Sequence, residues 1–214
     1  QFLPKKRRQV IELPADGRLA EIVKLERMLW DSVNGHGVYD EILAGLEVLK
    51  EGGENDEAFE LVIESLKSSR RYFFEEISKI RHQLAVAKVP EVIEHLENVL
   101  ESQSHGEKVV CFVHHHDVGR SLAGHFGSNA VLVDGTVTDS TERDRRITKF
   151  QSDSNIKLFI GSMRVAGLGI TLTAAHHVVF AEMDWTPTVL TQCEDRCHRI
   201  GQEHNLLIQH LMES

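Results

Sequence analysis

A parallel sheet with helices on both faces is the α/β fold that the sequence predicts, from three features of its second half. Short apolar runs recur from residue 109 on: Val109-Val110-Cys111-Phe112-Val113, Ala130-Val131-Leu132-Val133, Ile156-Lys157-Leu158-Phe159-Ile160, and His177 to Ala181. The stretches between them, Asp117 to Phe126 and Thr141 to Phe150, carry helical periodicity. Each run ends on polar or turn residues: His114-His115-His116, Asp134-Gly135, Gly161-Ser162 and Asp184-Trp185. Strands that alternate with helices in this way form parallel sheets whose crossovers cover both faces. Ligands of such sheets gather at the carboxyl ends of the strands.

Taken in order, residues 1–15 open with Lys5-Lys6-Arg7-Arg8 and then alternate as Val10-Ile11-Glu12-Leu13, which predicts a strand or an extended arm. Four successive basic residues suit a nuclear address, a phosphate-binding patch or a solvated arm. Residues 16–84 predict helices that interrupt the α/β pattern. Asp16 is placed to cap one that carries Leu19, Ile22, Val23 and Leu29 on one face. Gly35 and Gly37 break it, Val38 to Lys50 forms the next, and Gly52-Gly53 breaks that. Asp56 to Ser68 and Tyr72 to Ala87 complete the insertion. Asp56-Glu57-Ala58-Phe59 imitates a magnesium-holding box, but no buried strand precedes it, so it reads as a helix start. From residue 85 to 214 the α/β part follows. Pro90 starts a helix with Val92, Ile93, Leu96, Val99 and Leu100 on one stripe, and Leu206 to Leu211 makes a last strand.

The 214 residues are 41% hydrophobic and 27% charged, ordinary for a globular chain with its own core. No apolar run has the length of a membrane span and no signal peptide opens the chain, so neither a membrane partner nor secretion is expected. Three cysteines, Cys111, Cys193 and Cys197, make no disulfide framework, which suits a reducing, intracellular compartment. No metal site is expected, since Cys193, Cys197 and His198 lack a second ligand pair. The net charge of −9 is concentrated: between Asp40 and Leu66 nine acids face Lys50 alone, a local −8 that leaves −1 for the rest. Overall charge therefore says little about a binding face elsewhere, and the acidic helices are a candidate docking surface for a protein partner.

After the apolar run that ends at Glu182, Pro187 starts a short helix predicted from Thr186 to Arg199. On it Arg196 and Arg199 are three apart and share a face. Two guanidiniums there can grip a polyanion; they can equally bridge to Glu194 or Asp195, and spacing leaves both open. His114, His115 and His116 end a strand. Neighbours on a strand point to opposite faces, so the three cannot share one ion, and Asp117 is placed to cap the next helix.

The pattern Gln192-x-x-Asp195-Arg196-x-His198-Arg199-Ile200-Gly201-Gln202 resembles the last signature motif of the Swi/Snf-type ATPases. These are superfamily-two, helicase-like motors that translocate on double-stranded DNA. Further resemblances lie in Phe112-Val113-His114-His115, in Asp134-Gly135-Thr136 with Glu142-Arg143 and Phe150, and in Ser162-Met163-Arg164-Val165-Ala166-Gly167-Leu168-Gly169-Ile170-Thr171-Leu172. Met163, Ala166, Val178 to Glu182 and Ala87-Lys88-Val89-Pro90 lean toward the annealing-helicase, fork-remodelling branch. The resemblance covers residues 85 to 211 and, loosely, 1 to 15, where Leu3-Pro4-Lys5-Lys6-Arg7 resembles the segment that enters the second lobe and favours a linker role.

The resemblance implies the second of two RecA-like lobes of a P-loop NTPase. It makes Arg196 and Arg199 the arginine fingers that reach ATP held by a first lobe. It places Gly167, Gly169, Gln192, Asp195 and Gln202 at the nucleotide cleft. It places His114, His115, Arg143, Ser162, Arg164 and Trp185 toward double-stranded or forked DNA; Trp185 equally suits a rim residue packed under the arginine helix. No Gly-x-x-x-x-Gly-Lys-Ser/Thr loop occurs in the chain, so ATP and Mg2+ are expected to be held mainly by an N-terminal lobe lying before Gln1, and this lobe alone is expected not to hydrolyse ATP. The expected site of action is the nucleus in a eukaryote and the cytoplasm or nucleoid in a bacterium. The other class of reading is a RecA-like lobe kept as a non-catalytic binding module, with the acidic helices as its docking face.

Overall fold

The computed structural model describes residues 3–34, 75–102 and 107–213. The expected helices 38–50 and 56–68, the Asp56-Glu57-Ala58-Phe59 box and the whole acidic stretch from Asp40 to Leu66 lie outside the described residues. The chain divides into two compact units, residues 1–14 with 85–214, and residues 15–84.

The larger unit is built on six strands, β1 (Lys6–Leu13), β2 (Val109–Val113), β3 (Ala130–Val133), β4 (Leu158–Ser162), β5 (His177–Phe180) and β6 (Leu206–Glu213). They pair in parallel in the order β1-β6-β5-β2-β4-β3. β2, β4 and β5 are buried along their whole length. That is why they read as continuous apolar runs: a central strand of a doubly covered sheet has no solvent face.

Alternate residues feed two cores. On one face Val110, Phe112, Phe159, Val178 and Phe180 pack with Phe150 of α5 (Ser140–Ser152) and with Cys193 and Cys197 of α7 (Pro187–Cys197). On the other, Val109, Cys111, Leu158, Ile160 and Val179 pack with Val92, Leu96 and Val99 of α3 (Val89–Ser102) and Val118 and Leu122 of α4 (His116–Phe126). Phe112, Phe159 and Phe180 are fully buried, each worth roughly 1.5–3 kcal/mol of transfer free energy. Gly161 makes room for them: a Cβ there would sit 2.8 Å from Phe159 Cε1 and 3.4 Å from Phe112 Cε1.

The smaller unit contains α1 (Gly17–Asn34), with Leu19 and Ile22 buried, and α2, residues 75–87, with Ile77 buried. Arg81 of α2 donates from Nε to Glu26 Oε1 of α1 at 3.1 Å. The Asp16 carbonyl accepts from the Leu19 and Ala20 amides, so its cap is made through the backbone.

The opening residues form the expected strand, at the edge of the sheet, in register with β6 from Lys6↔Leu206 to Leu13↔Glu213. Two expectations shift. β4 begins two residues later than its apolar run, because the Ile156 amide bonds the Asp153 carbonyl in a turn that plugs Ile156 into the core. α4 begins at His116 rather than at a capping Asp117, which falls in its first turn; the cap position belongs to His115, held extended at φ −92°, ψ 139°.

Candidate functional site

Every crossover of a parallel sheet leaves its strands' carboxyl ends on one edge, and polar groups of this chain meet there. The buried Glu182, just past β5, accepts from the His114 amide at 2.9 Å and the His115 amide at 3.1 Å, and its Oε2 lies 2.5 Å from His115 Nδ1. His114 Nδ1 lies 3.4 Å from Asp184 Oδ2, and His116 Nδ1 lies 3.1 Å from Asp134 Oδ2. Burial alone would raise the Asp134 carboxyl, but hydrogen bonds from Thr136 and His116 hold it below the usual range. Each histidine thus faces its own carboxylate. Among the described residues no group of three His, Cys, Asp or Glu is arranged to hold a metal ion. Cys193 Sγ turns to the Met163 carbonyl and His198 Nε2 to the Pro4 carbonyl at 2.6 Å.

The arginine helix α7 starts at Pro187, where a missing N–H costs nothing, and the Asp184 carboxylate takes the Thr186 amide at 2.8 Å. It ends two residues before the expected Arg199. His198 is its C-cap, and Arg199 lies beyond it. Arg199 Nη1 donates to the Gly169 carbonyl at 2.9 Å and to Thr171 Oγ1 at 3.3 Å. The Arg196 carbonyl accepts from the Leu172 amide at 2.8 Å. Arg196 Nε is buried and has no hydrogen-bond partner. Burial, then the neighbouring Arg199 charge, lower the Arg196 pKa. The bridge from these arginines to Glu194 or Asp195 is not made. Both carboxylates instead take Lys6, and Glu194 also takes Arg8.

Gly167 and Gly169 lie in the loop after α6 (Met163–Ala166), with Gly169 at φ 76°. That loop and α5 border an open groove of about 470 Å³, lined by Arg143, Thr148 and Gly169 among others. Arg164 is exposed and Trp185 is 43% exposed at the strand-edge loops. Ser162 is buried with Oγ unpartnered, and Gln192 is exposed on α7. Asp195 is half exposed and bonded to Lys6. Gln202 is buried; its amide donates to the Ala175 and Cys197 carbonyls and its Oε1 accepts from the His204 amide. Its side chain therefore fixes the loop after α7 rather than presenting a donor to a nucleotide. The structure thus brings Arg196, Arg199 and Gly169 together, with Arg143 across the groove from Gly169. Sequence reasoning passed over the role of Glu182 and the Lys6–Glu194–Arg8 cluster. The signal for Glu182 was an acid directly after a wholly apolar strand.

Residues 91–201, more than half the chain, match the helicase conserved C-terminal domain family. The chain belongs to that family. Among its helicase relatives, the Caenorhabditis elegans homologue of SWI/SNF-related matrix-associated actin-dependent regulator of chromatin subfamily A-like protein 1 is 38% identical over 131 residues, 59% of this chain and 19% of that protein. Human DNA annealing helicase and endonuclease ZRANB3 is 36% identical over 139 residues, 64% of this chain and 13% of that protein. The chain therefore spans under a fifth of these relatives. The fold matches the C-terminal part of the Fun30 ATPase domain with a TM-score of 0.62 at 18% identity, over 100% of this chain and 86% of that one. It matches the Sulfolobus solfataricus SWI2/SNF2 ATPase core in complex with dsDNA with a TM-score of 0.61 at 21% identity, over 98% and 41%. The fold of this helicase C-terminal domain is that of the SWI2/SNF2-type ATPase lobes in those structures.

Proposed function

We propose that this lobe is the C-terminal half of an ATP-dependent motor that translocates on double-stranded or forked DNA, of the chromatin-remodelling or annealing-helicase type. Its N-terminal RecA-like lobe holds ATP and carries Mg2+ with it. The observation that carries the reading is an arginine pair that Glu194 and Asp195 do not bridge. Arg196 and Arg199 lie beside the glycine loop, neither is neutralised by Glu194 or Asp195, and Arg196 Nε is buried without a partner. A buried guanidinium atom left unsatisfied costs free energy unless a ligand completes it.

In this reading the arginines aim at charge that develops on the transferred phosphoryl, a role worth roughly three to five decades in rate. Gly167 and Gly169 let the backbone approach the nucleotide, and Gln192 and Asp195 lie on the same side of α7. His114, His115, Ser162, Arg164, Trp185 and Arg143 supply contacts to the DNA backbone. The names of its relatives, a regulator of chromatin and a DNA annealing helicase, support a nuclear protein acting on DNA. The acidic stretch between Asp40 and Leu66 would dock a protein partner.

The test is phosphate release by the whole ATPase with and without double-stranded DNA, set beside the isolated lobe. DNA-stimulated turnover confined to the whole protein supports the motor; no turnover in either leaves a binding module.

A further inference from the structure

The basic run Lys5-Lys6-Arg7-Arg8 alternates along β1, so its members face two ways. Lys6 and Arg8 turn toward α7. Lys6 Nζ donates to Glu194 Oε2 at 3.1 Å and to Asp195 Oδ1 at 2.7 Å. Arg8 forms a two-pronged pair with Glu194, from Nε at 2.8 Å and from Nη2 at 2.6 Å. The Glu194 side chain is 3% exposed, so this carboxylate is held inside the fold. Burial would raise its carboxyl, but the hydrogen bonds from Arg8 and Lys6 keep it below the usual range.

The neighbouring residues do the same. His198 Nε2 meets the Pro4 carbonyl at 2.6 Å, and the Lys5 amide donates to Asn205 Oδ1 at 3.0 Å. Glu194, Asp195 and His198 bracket Arg196 and sit beside Arg199, and all three are bound to residues 4–8. The arginines themselves are left out of the network. A two-pronged guanidinium–carboxylate pair fixes orientation as well as position.

We infer that Lys6 and Arg8 are positioning residues for the arginine pair, acting through Glu194 and Asp195. The segment entering the sheet sets the attitude of the end of α7, and with it the aim of Arg196 and Arg199. This rests on the arginine role proposed above. It assigns the basic run a function other than a nuclear address or a phosphate patch.

The experiment uses the whole ATPase with double-stranded DNA, measuring kcat, KM for ATP and DNA affinity. Arg8→Gln and Lys6→Gln should each lower kcat by about tenfold, since small misplacements of a catalytic group cost rate steeply. KM and DNA affinity should stay within about twofold, and Lys6→Arg should recover most of the turnover. Arg8→Gln combined with Glu194→Gln should be no worse than the more damaging single change. Lys5→Gln and Arg7→Gln should behave as wild type. Wild-type kcat in Arg8→Gln and Lys6→Gln, or strictly multiplicative losses in the double variant, would overturn the inference. Arg199→Ala is run alongside. If it too keeps wild-type turnover, the arginine role itself has failed; if it loses turnover while the Lys6 and Arg8 variants keep theirs, only the positioning has failed. A loss in Lys5→Gln or Arg7→Gln equal to that of Lys6→Gln would mark a bulk charge effect and also count against it.

Discussion

Arg199 Nη1 donates to the carbonyl oxygen of Gly169 at 2.9 Å, tying the end of the arginine helix to a glycine held at φ 76°. The two motifs are thirty residues apart in sequence. Their contact makes the loop and the arginine one mechanical piece, and it sets the first expectations.

Arg196→Ala or Arg199→Ala in the whole ATPase should cut DNA-stimulated turnover by roughly a hundredfold or more, with nucleotide affinity largely kept. On the proposed role the arginines act on charge that appears during transfer, while ground-state binding would belong to the other lobe. Arg→Lys should fail as well, because an ammonium lacks the planar fork. Turnover and nucleotide binding measured side by side decide it; wild-type turnover in both alanine variants would sink the role.

Gly169→Ala should destabilise the loop by about 1 kcal/mol through its left-handed backbone alone. An added Cβ would meet no atom within 4 Å, so no clash contributes. The measurable signs are a small drop in Tm and a larger drop in turnover, since the Arg199 contact moves with the loop. A Tm loss of the size expected for a core mutation would contradict this.

Gly161→Ala is the opposite case. Here the backbone is ordinary and the clash is with the Phe159 ring at 2.8 Å, inside a packed core. Overpacking of this kind costs about 1–3 kcal/mol. Urea melts should show a lower midpoint with an unchanged slope, and Phe159→Leu in the same chain should recover part of the loss.

Acid should act in two steps. Burial, which outweighs the Gln209 hydrogen bond, lowers the His177 pKa below 6.5; burial also lowers that of His210. A group whose folded pKa is depressed gives the unfolded chain the greater share of protons, so stability is complete above 6.5 and falls as pH drops through the folded values. Glu194 and Asp134 are likewise depressed, from 4.5 and 3.8, so their contribution is lost lower still. Tm followed against pH should be level above neutrality, decline below 6.5, and decline more steeply below about 4.5. His177→Gln with His210→Gln should flatten the upper step alone. An upper step that survives in that variant would remove these histidines from the account.

How much of this was legible beforehand depended on the kind of interaction. The strands of the sheet could be read because burial on both faces writes an apolar run into the chain, and Pro187 marked the start of α7. The arginine pair could be read from its motif, but not its surroundings. Whether Glu194 would bind Arg196, Arg199 or Arg8 depends on a pairing 186 residues apart, which no local pattern encodes. Glu182 was hidden for the same reason, since its partners include backbone amides just past another strand. Gln202 matched its motif yet turned inward to hold three residues of backbone.

DNA binding by this lobe should be weak, indifferent to sequence and steeply dependent on salt, because its candidate contacts suit phosphates. Arg143→Ala and Arg164→Ala should each reduce the slope of log affinity against log salt by about one. Titrations of the whole ATPase at two salt concentrations measure it. Tight binding to one sequence, unmoved by salt, would count against a translocase.

The register Lys6↔Leu206 carries a cost in time. β1 is made early, yet the seat it occupies is the edge of β6, and the residues that meet are 200 apart, as Lys5 and Asn205 are. At a synthesis rate of roughly 5–20 residues per second, the nascent β1 waits about 10 to 40 seconds for its partner. Until then its exposed Val10, and the unpaired amides of a strand without a neighbour, are open to any other edge in the cell. The charges at Lys5, Lys6, Arg7 and Arg8, of which Lys6 and Arg8 later steady the arginine helix, would in that interval serve as the segment's guard against aggregation.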